Sequence, residues 1–183
     1  MPKKYEKIFF VDMDGVIAKY DRHAYDRPNG PIPGTALFEH EPSHYFAHCD
    51  PDPTGIAMLR LLLAIKDAKT YILTSVAAHI PWAIEDKKAW LADHCPEIDT
   101  ARQFVVTRSD KTEVARAMTL AKQLTELTVL IDDFNPNLLK WRRAGGKAVK
   151  YLNGVNSPTS WSGLTIDGRP ETPNIAIADI ITA

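Results

Sequence analysis

The chain has 183 residues, 45% of them apolar and 25% charged, with a formal net charge of −1. That length suits one domain with a small insertion and is enough to bury a substantial core. The near-neutral balance provides no general attraction to nucleic acid or to an anionic membrane surface, and no apolar run reaches the ~20 residues of a membrane-spanning helix. The first strand-like run starts too close to Met1 to leave room for a signal peptide. Cys49 and Cys95 fit no disulfide or zinc pattern, so a cytoplasmic protein is expected.

In chain order, Ile8-Phe9-Phe10-Val11 reads as a short strand buried on both faces, and it runs straight into Asp12-Met13-Asp14-Gly15-Val16. The stretch 18–53 breaks the pattern. It is rich in Pro, Gly, His and aromatics, includes the turn-laden run Pro28-Asn29-Gly30-Pro31-Ile32-Pro33-Gly34, and reads as a small cap inserted after the first strand. Thr54 is placed to cap a helix reaching Ala68, with Ile56, Leu59, Leu62 and Leu63 on its apolar side. Thr70 to Leu73 is a second buried strand that ends at Thr74-Ser75. Pro81 opens a helix continuing to about Asp93.

Phe104 to Val106 is a third strand, and Ser109 or Asp110 can cap a helix from Lys111 to about Thr125. Val129 to Ile131 is a fourth strand and leads into Asp132-Asp133. The helix from Asn135 to Ala144 stops at Gly145-Gly146, and Lys147 to Leu152 supplies a fifth strand. These readings divide the chain into a core at 1–17 and 54–155, a cap at 18–53, and a tail at 156–183. The tail, with Pro158, Pro170, Pro173, Gly163 and Gly168, is expected to be loop-rich and to pack on the core.

Strand and helix in such alternation imply parallel strands with right-handed crossovers, hence an α/β, doubly wound parallel sheet. Asp12, Asp14, Thr74, Ser75, Asp132 and Asp133 each follow the carboxyl end of an expected strand. In such a sheet those ends share one edge, so the six residues should converge on one crevice. Clustered carboxylates are costly to desolvate unless a cation or a proton offsets them, and hard oxygen ligands suit magnesium. Gly15 allows a sharp turn and a close backbone approach to an anion.

With these residues in place, the chain resembles the haloacid-dehalogenase-like (HAD) hydrolase superfamily. The resemblance rests on an ordered set: Asp12 to Val16 as Asp-x-Asp-Gly-Val after a strand, Tyr71 to Thr74 as a strand ending in Thr, a helix-borne Lys, and the acidic pair Asp132-Asp133. Within it, the chain is most similar to the 5′(3′)-deoxyribonucleotidases, through Ile72-Leu73-Thr74-Ser75, Glu85-Asp86-Lys87-Lys88-Ala89-Trp90 and Val106-Thr107-Arg108-Ser109-Asp110-Lys111-Thr112. Ser109 is an insertion relative to that pattern. The stretch from Lys111 to the acidic pair is longer than in the family, and the cap is shorter.

The resemblance implies a magnesium-dependent phosphomonoester hydrolase. Asp12 would attack phosphorus to form an aspartyl phosphate, and Asp14 would protonate the leaving alkoxide and then activate water. Metal would be held by Asp12, by the Asp14 carbonyl and by the acidic pair, with Asp133 favoured as the direct ligand and Asp132 supporting it. Thr74 and Ser75 would donate to phosphoryl oxygens, Lys111 would neutralise the nucleophile, and Lys87 is a competing phosphate contact. The implied substrate is a small phosphomonoester, a deoxyribonucleoside monophosphate in the closest resemblance and a sugar phosphate in the alternative. A catalytically silent scaffold is disfavoured, because every chemical group of the set is present.

Other features are less specific. His40, His44 and His48 recur at a spacing that stacks side chains on one helix face, but Pro42 interrupts the run, so a polar cap face outweighs zinc binding. Tyr20, Tyr25, Phe38, Tyr45 and Phe46 are either stacking partners for a nucleobase or the small core of the cap. Asn137 and Trp141, one helical turn apart, are placed to orient the acidic loop, with Trp141 better suited to core packing.

Overall fold

The computed structural model of the protein describes residues 6–19, 44–78, 80, 82–156 and 159–168. Six strands form one sheet: β1 (Lys7–Val11), β2 (Ala68–Ser75), β3 (Phe104–Thr107), β4 (Thr128–Asp132), β5 (Lys147–Leu152) and β6 (Leu164–Asp167). Their order is β3-β2-β1-β4-β5-β6, and every neighbouring pair is parallel. The helices are α1 (Pro53–Leu63), α2 (Ala83–His94), α3 (Thr100–Gln103), α4 (Lys111–Met118) and α5 (Asn135–Arg143), preceded by a short 3-10 turn over Tyr45–His48. This is an α/β fold with helices flanking an all-parallel sheet.

The two-residue period of β1 separates two apolar layers. Phe9 and Val11 pack with Met58, Leu59 and Leu62 of α1 and with Trp90 and Leu91 of α2. Ile8 and Phe10 pack on the opposite face with Ala115 of α4 and with Leu138 and Trp141 of α5. A strand so enclosed has no polar face to offer, which is why its sequence is a continuous apolar run rather than an alternation. Burying Phe9 and Phe10 completely is worth about 2 kcal/mol each. Among the described residues, no helix is long and apolar enough to cross a membrane.

Several boundaries differ from the sequence expectation. Helix α1 is capped by Asp52, whose side chain accepts from Gly55 N at 2.9 Å, rather than by Thr54, and it ends at Leu63. Helix α2 starts at Ala83. Helix α4 is capped by Asp110, not Ser109, and stops at Met118 instead of running to Thr125. There Thr119 turns extended, with ψ 145°, and its hydroxyl lies 3.0 Å from both Arg116 O and Gln123 O, with one proton to donate between them, which replaces helix continuation with a local turn. The tail is not all loop: Leu164–Asp167 adds β6 beside β5, with Ile166 buried. Flanking glycines and a four-residue length hid this edge strand.

Most of the stretch expected to form a cap, residues 20–43, lies outside the described residues, and with it Tyr20, Tyr25, Phe38, His40 and the Pro28–Gly34 run. Its two ends form a narrow neck, where Ala18 bridges Pro51 in antiparallel fashion and Lys19 N donates to Asp50 O at 2.8 Å. Tyr45 and Phe46 are buried against each other and, through Phe46, against Trp82, so they form core rather than an open stacking surface. His44 and His48 do not share a helix face, because His44 has φ 75° ahead of the 3-10 turn. Its Nδ1 instead lies 2.7 Å from Asp86 Oδ1.

Candidate functional site

The site lies where the sheet changes direction. From β1 the chain builds outward through β2 and β3 on one side and through β4, β5 and β6 on the other. Loops from adjacent strands diverge at that point and leave a crevice at the carboxyl ends. Asp12 follows β1, and Asp132 and Asp133 lie at the end of β4. One carboxylate oxygen from each of the three residues lies within 4.8 Å of the others, and all three residues are buried.

Lys111, at the first turn of α4, reaches into this group from across the sheet edge. Its Nζ lies 2.8 Å from Asp12 Oδ2 and 2.7 Å from Asp132 Oδ2. The remaining acceptors are held by the backbone and by amides. Met13 N donates to Asp12 Oδ1 at 2.8 Å, Phe134 N donates to Asp132 Oδ1 at 2.8 Å, and Asn137 Nδ2 donates to Asp132 Oδ2 at 3.0 Å. Asn137 therefore orients the acidic loop as its spacing suggested, whereas Trp141 packs in the core and donates to Thr128 O.

Burial pushes the Asp12 carboxyl well above the usual range, against the lowering effect of Lys111. Burial, followed by the charge of Asp132, pushes Asp133 up to about 7. For Lys111, burial alone would lower the ammonium, but the charges of Asp12 and Asp132 raise it above its ordinary value. The three carboxylates outnumber the one ammonium among them, an imbalance that favours a further cation or a proton at the site.

A second group stands beside the first. Lys87 of α2, fully buried, pairs with Asp14 Oδ2, donates to Thr74 Oγ1 at 2.7 Å and donates to Ser75 O at 3.2 Å. Thr74 Oγ1 in turn lies 3.4 Å from Asp14 Oδ2. The Phe46 ring covers the ammonium at 4.5 Å. All eight residues singled out from the sequence therefore meet at one edge, but as two groups: Asp12, Lys111, Asp132 and Asp133 in one, Asp14, Thr74, Ser75 and Lys87 in the other. The Asp14 carboxylate is not part of the three-acid cluster, and Ser75 contributes its carbonyl while its side chain is exposed.

Three contributors went unnoticed in the sequence. Asn153 and Asn156, just beyond β5, both donate to Asp133 Oδ2, at 2.6 and 2.5 Å. Lys150 of β5 donates to Asp133 O at 2.6 Å. The available signal was that β5 ends at the same edge as β1, β2 and β4, so polar residues after it should face the same crevice. Asn153-Gly154 reads instead as a plain turn.

The donor set suits a hard divalent cation. It consists of carboxylate oxygens, and Asp133 Oδ1, although buried, has no hydrogen-bond partner among the described residues. Such an orphaned anionic oxygen is costly unless something else coordinates it. Compared with known proteins, the chain matches no protein-family model and no curated protein sequence.

Proposed function

We propose that this chain is a magnesium-dependent phosphomonoester hydrolase of the HAD type, working through an aspartyl phosphate, and that its substrate is a deoxyribonucleoside monophosphate. The observation that carries this reading is the buried Asp12–Asp132–Asp133 cluster with Lys111 bridging Asp12 and Asp132. A nucleophilic carboxylate needs a fixed rotamer, and Met13 N and Lys111 each hold one oxygen of Asp12. Asp12 and Asp133 Oδ1 would hold the metal with Asp132 behind them, and Mg2+ when bound would screen the phosphate charge from Asp12.

Asp12 forms a bond to phosphorus as the bond to the leaving oxygen breaks. Asp14 delivers a proton to that oxygen and later removes one from the attacking water. Before substrate arrives, Lys87 and Thr74 hold the Asp14 carboxylate. A phosphoryl group entering beside Thr74 would compete for the same ammonium, which gives Lys87 a share in phosphate binding and loosens its hold on Asp14. Cytoplasmic residence suits this reading, since Cys49 and Cys95 form no disulfide.

The test is phosphate release from a panel of deoxy- and ribonucleoside monophosphates and sugar phosphates, with Mg2+ or EDTA, beside Asp12→Asn. Mg2+-dependent release favouring deoxynucleotides and abolished in Asp12→Asn is expected. Release favouring sugar phosphates would keep the chemistry and replace the substrate. No release from any member of the panel by folded, metal-loaded protein would overturn the nucleotidase assignment.

A further inference from the structure

We infer that Asn153 and Asn156 are positioning residues that restrict Asp133 to one coordinating oxygen, and that this restriction selects Mg2+ over Ca2+. The inference rests on the metal-dependent reading above and extends it to the choice of ion.

A carboxylate oxygen offers two lone pairs. Both on Asp133 Oδ2 are engaged, by Asn153 Nδ2 at 2.6 Å and Asn156 Nδ2 at 2.5 Å. Oδ1 of the same residue is buried and has no partner among the described residues. The side chain can therefore coordinate through Oδ1 but cannot chelate with both oxygens unless Oδ2 gives up an amide bond. The amides are themselves held in place. Asn153 Nδ2 also donates to Gly15 O at 2.9 Å, tying the loop after β5 to the loop that carries Asp12 and Asp14. Asn153 Oδ1 accepts from Val155 N at 2.9 Å and Asn156 N at 3.0 Å, which fixes the turn on which Asn156 stands. Lys150 Nζ anchors the Asp133 carbonyl at 2.6 Å, so the backbone of the acid cannot swing to present its second oxygen.

Ca2+ takes six to eight oxygen ligands and commonly gains them through bidentate carboxylates, whereas Mg2+ demands a compact octahedron with single oxygens. A carboxylate locked to one free oxygen removes the arrangement Ca2+ favours and keeps the one Mg2+ needs. Outer hydrogen bonds of this kind typically change metal affinity by 10–100-fold when removed.

The experiment is calorimetric titration of the metal-free full-length protein with MgCl2 and, separately, with CaCl2. Wild type, Asn156→Ala and the double variant Asn153→Ala/Asn156→Ala are compared after circular dichroism has checked folding. Asn156→Ala removes one donor to Oδ2 and leaves the Asn153 turn and its bond to Gly15 O intact, so it carries the test if the double variant does not fold. The expected result is a fall in the ratio of Mg2+ to Ca2+ affinity of roughly tenfold in the double variant and a smaller fall, in the same direction, in Asn156→Ala. An unchanged ratio in Asn156→Ala and in any folded double variant would overturn the inference while leaving the phosphatase reading standing. A shifted ratio in a protein that hydrolyses no phosphomonoester would support the inference and overturn the phosphatase reading. Wild-type protein that binds neither ion would overturn both.

Discussion

Lys111 donates to Asp132 across 2.7 Å, a fully enclosed pair that joins the first turn of α4 to the end of β4. The same ammonium reaches Asp12 at 2.8 Å, so one cation serves two acids. Removing one partner of a buried pair leaves uncompensated charge and costs about 3–5 kcal/mol. Lys111→Met is therefore expected to lower the stability of the metal-free protein by about 3 kcal/mol at neutral pH, read by urea unfolding, and to abolish phosphate release. A variant as stable as wild type would show that the carboxylates are held by something other than this lysine.

Asp14 belongs to the Lys87–Thr74 group rather than to the three-acid cluster. Asp14→Asn should accordingly separate two properties. Turnover should fall by roughly 10²-fold or more, as expected for loss of a general acid. Mg2+ affinity, measured by calorimetry, should stay within about threefold of wild type, because the carboxylate makes no part of the cluster. Loss of metal binding in this variant would contradict the division of the site into two groups.

The raised carboxyls set the pH dependence of the metal-free protein. Asp133 is pushed up to about 7 by burial and by Asp132, and Asp12 is raised in the same direction by burial. An aspartate in the unfolded chain titrates near ~4, so between these values the folded state keeps protons that the unfolded state releases. The associated stability is fully present below ~4 and is lost as pH rises toward the folded value. The melting temperature of the metal-free protein should fall across that window, and Asp133→Asn should flatten the fall. Mg2+ binding at pH ~6 should release protons, seen as a dependence of the binding heat on buffer ionisation enthalpy. No proton release would mean the acids are already ionised without metal.

Gly55, in the first turn of α1, packs directly under the loop that follows Asp14. A Cβ there would collide with the Val16 carbonyl oxygen and lie 3.1 Å from Ile17 Cα, both backbone atoms with little freedom to retreat. Asp52 ties the same junction, since its N donates to Ile17 O at 2.8 Å and its carboxylate accepts from Tyr151 Oη at 2.7 Å. Gly55→Ala should destabilise the protein by about 1–3 kcal/mol. It should also depress phosphate release in protein still folded at the assay temperature, because Asp12 and Asp14 sit on the displaced loop. Wild-type stability in the variant would mean that α1 can shift away from the loop at little cost.

The apolar run of β1 and the alternation of strand with helix were enough to read the α/β parallel fold from the chain alone, because a strand enclosed on both faces cannot hide its composition. The same logic placed Asp12, Asp14, Thr74, Ser75, Asp132 and Asp133 at one edge, since parallel strands bring all their carboxyl ends together. Helix ends and short edge strands were less legible. Asp52 rather than Thr54 caps α1, Thr119 ends α4 early, and β6 lies among glycines, each decided by local hydrogen bonds or by a neighbouring strand rather than by periodicity. How the site divides was decided only in three dimensions. Lys111 joins Asp12 and Asp132, Lys87 joins Asp14, and Asn153 and Asn156 meet on one oxygen of Asp133, leaving the other without a partner among the described residues. Sequence spacing determines which residues reach a common edge, but which donor finds which lone pair depends on the packing of α2, α4 and the loop after β5 around it.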